Sequence, residues 1–219
     1  MHPKNPLEKI DYSELAVAFP PLLKHLKNGR IKDFKDPKAI RDLNIAILLK
    51  YYKVRIEIPL DKLIPIIPSR LDYILHIADL FMEKRDLKGL DIGTGASCIY
   101  PILGATIFNW HFLALDIDQD SLEYAQENVS RNNLDSLIKV ELNTSKKIIP
   151  KGSFDFLMCN PPFYRDHSHI HESKKLKLDN PTGECTGSNN EMITEGGEYE
   201  FVKRMIKESK RRDIKYFIN

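Results

Sequence analysis

Asn160-Pro161-Pro162-Phe163 is the run whose residue types do the most specific chemistry in this chain. It follows an apolar stretch, Phe154 to Cys159, that reads as a buried strand. An amine conjugated to an aromatic ring is a poor nucleophile, because its lone pair is delocalised into the ring. Two acceptors placed at its hydrogens would hold such an amine and turn its lone pair toward an electrophile. The Asn160 side-chain oxygen and the Pro161 carbonyl are suited to that task. Pro161 and Pro162 fix the backbone that presents them. Phe163 supplies a face for a base taken out of its strand. The chemistry needs no metal and no strong general base, since the proton leaves after the new bond has formed.

A second constellation lies upstream, at Leu90-Asp91-Ile92-Gly93-Thr94-Gly95-Ala96-Ser97. Glycine lets a turn take positive φ and lets a ligand approach the backbone. A dinucleotide fingerprint would place a third glycine at position 98, where this chain has Cys98. A pyrophosphate is therefore disfavoured. Asp91, just before the glycines, suits a ligand with a cationic end and no phosphate. Asp116 ends the next apolar run, 25 residues after Asp91. A carboxylate there can accept from both hydroxyls of an adenosine ribose. Asp118 and Asp120 read as caps for the following helix. Arg70, before an apolar helix, is either a surface charge or the partner of a ligand carboxylate. His167, His169 and His171 alternate, but no cysteine or carboxylate stands at zinc spacing, so they read as a solvated loop.

These residues need strands and helices to bring them together. From Lys88 onward the pattern alternates. Strands are expected at 89–93, 111–116, 137–142, 154–159 and from 214. Helices are expected at 98–105, 121–132 and 198–210. Alternation of this kind implies a parallel sheet with helices on both faces. The stretch 164–196 is polar and without periodicity, a long loop directly after a strand end. Upstream, Asp36-Pro37 starts an amphipathic helix over 37–52, and a second runs from Ser69 to Glu83. Pro59, Pro65 and Pro68 punctuate an extended connection between them. Residues 1–35 read as short helices and turns.

A hydrophobic share of 42% in 219 residues is enough for a sizeable core without disulfides or metals. No apolar run approaches the roughly 18–20 residues of a membrane helix. Met1 to Ile10 lacks the apolar centre of a secretory signal. Cys98, Cys159 and Cys185 form no paired framework and read as reduced, intracellular thiols. The net charge of +2 hides an asymmetry. Residues 1–60 carry an excess of five positive charges, residues 61–200 an excess of eight negative, and residues 201–219 again five positive. Basic ends around an acidic middle fit a polyanion contacted by the flanks.

Asn160-Pro161-Pro162-Phe163 below such a glycine turn resembles the class I adenine-N6 methyltransferases. Asp91 to Pro101 and Glu195-Gly196-Gly197-Glu198 with Phe201-Val202-Lys203 narrow the resemblance. They are similar to the methyltransferase-like protein 16 family and its bacterial relatives, which methylate an adenine of large-subunit ribosomal RNA. Asn28-Gly29-Arg30 and Phe34 to Pro37 extend the likeness over nearly the whole chain. Thr94 and Ser97 place it nearer the eukaryotic branch. The resemblance implies an α/β, Rossmann-like class I sheet over residues 69–219 and a helical RNA-binding extension over residues 1–68. It implies S-adenosylmethionine held by Arg70, Gly93, Ser97, Asp116, Thr144 and Asn160. Asp116 stands where other members have Glu. It implies catalysis by Asn160, Pro161, Pro162 and Phe163, and RNA contacts from Arg30, Lys35, Lys146 and Lys147. The implied product is N6-methyladenosine in a structured RNA, U6 small nuclear RNA foremost, made in the nucleus or also the cytoplasm. No metal is implied. The last strands of a seven-stranded methyltransferase sheet are expected to be absent, since the chain ends in the fifth. Ribosomal RNA is an alternative substrate, and a release-factor glutamine, modified on a similar Asn-Pro-Pro motif, is another. An inert RNA-binding protein with the same fold is the non-enzyme alternative, and Cys98 disfavours a NAD-binding oxidoreductase.

Overall fold

The computed structural model describes residues 1–82, 84–162, 164–166, 192–210 and 213–218. The N-terminal part is built from short, well-stopped elements. Helix α1 (Tyr12–Ala18) starts where the Asp11 carboxylate accepts the N–H groups of Ser13 and Glu14. Pro20 then opens a 3-10 helix, Pro20–His25. Two-residue strands β1 (Leu26–Lys27) and β2 (Arg30–Ile31) pair antiparallel around Asn28-Gly29. Both turn residues have positive φ, 51° and 72°, as a tight hairpin turn of the right twist requires. Helix α2 (Pro37–Tyr52) has Asp36 as cap and Pro37 in its first turn, matching the expected range. Its buried face, with Leu43, Ile47 and Leu48, joins the main core.

Helix α3 (Ile67–Leu80) starts two residues earlier than the apolar spacing indicated and stops before Glu83. Pro68 sits in its first turn, where the missing N–H costs nothing. The Asn44 side chain accepts the Ile67 N–H at 2.8 Å and fixes the start.

Strands β3 (Lys88–Ile92), β4 (His111–Asp116), β5 (Ile138–Leu142), β6 (Ser153–Cys159) and β7 (Asp213–Ile218) form one parallel sheet in the order β5-β4-β3-β6-β7. Helices α4 (Ile99–Phe108), α5 (Gln119–Arg131) and α6 (Gly197–Ser209) complete the alternation. The chain runs outward from β3 through β4 to β5, then returns to the other side of β3. That reversal is the switch point at which open α/β sheets bind ligands. Ile92 pairs with Cys159 across β3 and β6, so Gly93 and Asn160 leave neighbouring strand ends side by side.

One face of the sheet, with Phe112, Ala114, Phe156 and Met158, packs in a single core with α3, α4, α5 and the N-terminal helices. Gly89 has no alternative there. A Cβ would lie 2.6 Å from both the Phe112 and Phe156 rings. The other face carries Leu90, Ile92, Leu115 and Leu157, covered by Ile148, Ile149 and Met205 of α6. Burial of each such side chain stabilises by about 1.5–3 kcal/mol.

The extended connection before α3 is bound to α5 by side-chain amides. Asn128 accepts the Glu57 N–H at 2.7 Å and donates to the Glu57 carbonyl at 2.9 Å. Asn132 does the same with Arg55, at 2.8 and 2.7 Å. Each amide replaces one rung of a strand ladder, so the connection stays extended without a strand beside it.

Candidate active site at the sheet switch point

The turn after β3 is held open by β4. Leu115 O accepts the N–H groups of Gly93 and Thr94 at 2.8 and 3.0 Å, and Asp116 Oδ2 accepts that of Gly95 at 2.8 Å. Gly93 and Gly95 have φ of 73° and 62°. A Cβ on Gly93 would meet nothing within 4 Å, so its backbone faces open space. A phosphate-binding turn offers its N–H groups to the ligand. Here three consecutive ones are already used, which agrees with the exclusion of a pyrophosphate. Cys98 nonetheless has the left-handed backbone (φ 48°) that a glycine would favour.

The cavity in front of this turn has a volume of about 570 Å³. That lies within the range of small-molecule sites, roughly 300–1,000 Å³. Its lining brings together Arg70, Gly93, Ser97, Asp116, Asn160 and Pro162 of the residues expected from sequence. Lys146 and Lys147 also line it and are exposed. Thr144 is exposed and lies off the lining, where Asn143 and Ser145 stand instead. Pro161 is buried behind Pro162. Arg30 and Lys35 are exposed on the N-terminal part, outside the cavity. Phe163, Cys185 and the three alternating histidines lie outside the described residues.

Four residues of the wall were not expected from sequence to touch a ligand. The connection supplies Leu63 and Pro65, and Ile117 is apolar yet 70% exposed beside Asp116. Phe201 of α6 closes the far side. An exposed isoleucine after a strand-end carboxylate is the one sequence hint of a flat apolar surface for a base. Asp118 occupies the N-cap of α5, as expected of a capping residue. Its side chain, however, accepts from Lys62 Nζ and Ser121 Oγ, each at 2.6 Å, and caps no backbone N–H. The Lys62 contact anchors the connection next to Leu63.

Electrostatics divide the cavity. Asp91 is 1% exposed, and neither carboxylate oxygen has a hydrogen-bond partner among the described residues. Burial pushes its pKa up to about 7, and the charge of Asp116 adds to that, while Thr94 and Arg70 pull the other way. Thr94 is of limited help, since its hydroxyl donates to Cys98 Sγ at 3.4 Å. Asp116 is raised by burial against three backbone N–H groups that lower it. Arg70 Nη1 donates to the Tyr100 hydroxyl at 2.8 Å and reaches Asn160 Oδ1 at 3.5 Å. Arg70 and the Asn160 amide are thus in contact.

These features fit S-adenosylmethionine. Asp91, buried behind the turn, does not line the cavity, so contrary to the expectation from sequence it would act on the cationic end through its field and not by contact. Arg70 would take its carboxylate, Asp116 its ribose hydroxyls, and Ile117 with Leu63 and Pro65 its adenine.

The sheet order, the glycine turn and the Asn160 run together define a Rossmann-like class I methyltransferase domain. Comparison with known proteins narrows this. The RNA methyltransferase family matches residues 1–217, and the chain belongs to that family. It is 41% identical over 217 residues to RNA N(6)-adenosine-methyltransferase METTL16 of Homo sapiens, covering 91% of this chain and 39% of that protein. It is 43% identical over 198 residues to the U6 small nuclear RNA (adenine-(43)-N(6))-methyltransferase of Schizosaccharomyces pombe, covering 85% of this chain and 50% of that one. The chain therefore spans half or less of the length of these relatives. The crystal structure of the human METTL16 catalytic domain in complex with MAT2A 3′UTR hairpin 1 superposes with a TM-score of 0.87 at 40% identity, over 98% of this chain and 79% of that one. The N-terminal domain of human METTL16 in complex with SAH gives 0.77 at 37% identity, over 98% and 80%.

Proposed function

We propose that this protein transfers a methyl group from S-adenosylmethionine to the N6 amine of an adenine in a structured RNA, with U6 small nuclear RNA as the foremost substrate and the nucleus as its place of action. The observation that carries this is the placement of Asn160 on the wall of the cavity that also holds Gly93, Arg70 and Asp116. An amine acceptor and a nucleoside-binding carboxylate thus open onto one space. The similar methyltransferases that act on U6 small nuclear RNA and on RNA N6-adenosine support the substrate.

When bound, S-adenosylmethionine supplies an electrophilic methyl on a sulfonium. The chain's own work is positioning. Asn160 Oδ1 and the Pro161 carbonyl accept the two amine hydrogens and hold the nitrogen lone pair toward the methyl carbon. The apolar walls keep water from competing for the amine. The proton leaves the amine only once the nitrogen has become cationic and acidic, so no strong base is required. Nothing in this set of residues needs to change charge during the transfer.

The test is to incubate the protein with methyl-labelled S-adenosylmethionine and U6 RNA, ribosomal RNA or a release factor, then digest to nucleosides or peptides. Label in N6-methyladenosine from U6 RNA is expected. Label on a glutamine, a cytosine or a ribose hydroxyl overturns the assignment, and N6 label from ribosomal RNA alone moves the substrate.

A further inference from the structure

The Asn160 run leaves the sheet with little backbone to hold it. Ile92–Cys159 is the last pair between β3 and β6, and the described pairing with β7 ends one residue earlier, at Met158–Ile218. Pro161 and Pro162 then bring two positions with no N–H to tie to a neighbour. The far end of the run is fastened. Tyr164 donates its N–H to the Met192 carbonyl, and its own carbonyl accepts the Thr194 N–H, each at 2.9 Å. The near end meets α3. The Tyr73 hydroxyl is hydrogen-bonded to the backbone of Cys159, the residue before Asn160. Tyr73 is half-buried, and its ring packs 5.2 Å from that of Tyr100. Arg70, one turn earlier on α3, donates to the Tyr100 hydroxyl at 2.8 Å and reaches Asn160 Oδ1 at 3.5 Å. Residues three apart share a helix face, so one face of α3 bears on both Cys159 and Asn160.

We infer that Tyr73 is a positioning residue for the methyl transfer, its hydroxyl fixing where β6 stops and so where Asn160 Oδ1 and the Pro161 carbonyl are presented. This rests on the function proposed above and adds to it a residue that does not line the cavity. Two acceptors must meet two hydrogens on one nitrogen, which leaves the run little latitude. A misplacement of about 1 Å can cost on the order of 10²-fold in rate. The fastening beyond Pro162 leaves the Asn160 side as the place where such a shift would enter. Tyr73 is a stiff fastener there, because its ring is held against Tyr100 and moves with α3. Burial raises its pKa above the ordinary phenol value, while the bond to Cys159 works against that rise. The hydroxyl therefore stays neutral and acts by its hydrogen bond, not by moving a proton.

The alternative is a structural role, in which the hydroxyl only satisfies a strand end. The two differ in what they change. Tyr73→Phe removes the hydroxyl and keeps the ring on Tyr100. Wild type, Tyr73→Phe, Asn160→Ala and the double variant would be compared in single-turnover methylation of U6 RNA, or of ribosomal RNA if that alone is labelled, at saturating RNA and S-adenosylmethionine. Rates are taken per S-adenosylhomocysteine-binding site counted by calorimetry, so a loss of folded protein cannot pass for a loss of rate. Tyr73→Phe should lower the rate by roughly tenfold, between the effect of one lost hydrogen bond and that of a full misplacement. Affinities for S-adenosylhomocysteine and RNA should stay within about twofold of wild type, since the loss falls on the chemical step. The fold-loss should be smaller in the Asn160→Ala background, because one of the two acceptors that Tyr73 positions is already gone. An unchanged rate per site overturns the inference, as does the same fold-loss with and without Asn160. A loss of S-adenosylhomocysteine affinity as large as the loss of rate shows a structural role and overturns it too. Wild-type protein that transfers no methyl group to any RNA overturns the proposed function itself.

Discussion

Asp116 Oδ2 lies 2.8 Å from the Gly95 nitrogen, so the carboxylate at the end of β4 is also the clasp of the turn after β3. Its other oxygen accepts the N–H groups of Ile117 at 2.7 Å and Asp118 at 3.1 Å. One side chain thus shapes the cavity and presents negative charge to it. Three of its roughly four acceptor sites are thus used by backbone, and the remaining one, on Oδ2, is left for a ribose hydroxyl.

Asp116→Asn acts on both tasks at once. The amide keeps one acceptor for the backbone but turns the other position into a donor and removes the charge. Losing charged hydrogen bonds to a ligand costs about 1.5–3 kcal/mol, so S-adenosylhomocysteine affinity should fall by roughly 10- to 100-fold. The thermal midpoint should fall as well, since the amide NH2 must face either the Gly95 N–H or the N–H groups of Ile117 and Asp118. An unchanged affinity by calorimetry would refute the ribose assignment.

Asp91 makes stability depend on pH in an unusual direction. Its folded pKa, near 7, lies above the ordinary 3.8, so the folded protein holds a proton that the unfolded chain releases. This contribution is full below about pH 4 and is lost as pH rises toward and through 7. Asp91→Asn keeps the shape and removes the buried charge. The difference in unfolding free energy between Asp91→Asn and wild type should therefore grow in favour of the variant from pH 4 to pH 8. Urea titrations at both pH values check this, and a constant difference rules it out. A cationic ligand in the cavity in front of the turn favours the ionised form of Asp91 behind it, so its binding should release protons near pH 7, measurable in buffers of different ionisation enthalpy.

Lys62 and Asp118 are a nearly buried ion pair, with side chains 9% and 15% exposed. Burial pushes the Asp118 carboxyl up, but the bonds from Lys62 and Ser121 outweigh it and hold it below the ordinary range. Breaking such a pair by removing one partner costs about 3–5 kcal/mol. Lys62→Met should fall at or below the low end, because Ser121 still donates to Asp118. It should also weaken S-adenosylhomocysteine, since Leu63 follows directly on the cavity wall. Denaturant unfolding and calorimetry on one sample test both. Wild-type stability would mean the pair is not formed in solution.

The strands were legible because each is a short apolar run bounded by charge or glycine. His111–Asp116 and Pro37–Tyr52 fall on their expected ranges, and the ends of the other elements lie within three residues of theirs. The turn residues Gly93 and Gly95 and the carboxylate Asp116 were legible because strand-end chemistry depends on local spacing. The wall built by Leu63, Pro65 and Ile117 was not. It depends on α5 amides 71 and 77 positions away holding the connection, and no local period records such a contact. Tyr100 gave no signal for a related reason. Buried at helical spacing, it looks like any other core aromatic until Arg70 is seen beside it.

The basic N-terminal part should contact RNA phosphates. Arg30 lies on β2 and Lys35 just before α2, and both are exposed. Reversing both charges, Arg30→Glu with Lys35→Glu, should weaken RNA binding and flatten its salt dependence. Each lost phosphate contact should change the slope by roughly 0.7–0.9 log units per log unit of salt. S-adenosylhomocysteine affinity should be unaffected, because neither residue lines the cavity. Wild-type RNA affinity and salt slope in the double variant would remove these residues from the interface.

Asn160 is the residue on which the proposed chemical step depends. Its amide is half-buried at the end of β6 and, among the described residues, is approached by one donor, Arg70 Nη1, at 3.5 Å. A carboxylate ligand on Arg70 would draw that guanidinium away and leave Oδ1 to the substrate amine. Asn160→Ala removes an interaction made with the reacting group, so turnover should fall far more than RNA affinity. Loss of one pre-organised contact at a reacting centre costs on the order of 10²-fold or more. Asn160→Asp is the sharper variant. It keeps an acceptor at Oδ1 but places a charge 3.5 Å from Arg70, where an ion pair would hold the oxygen away from the amine. Asp should therefore rescue little of the rate lost in Ala, although it accepts hydrogen bonds at least as well. Single-turnover rates at saturating RNA and S-adenosylmethionine read this directly. Full turnover in Asn160→Ala would show that the amine is held elsewhere, and near-complete rescue by Asp would show that Arg70 does not compete for the oxygen.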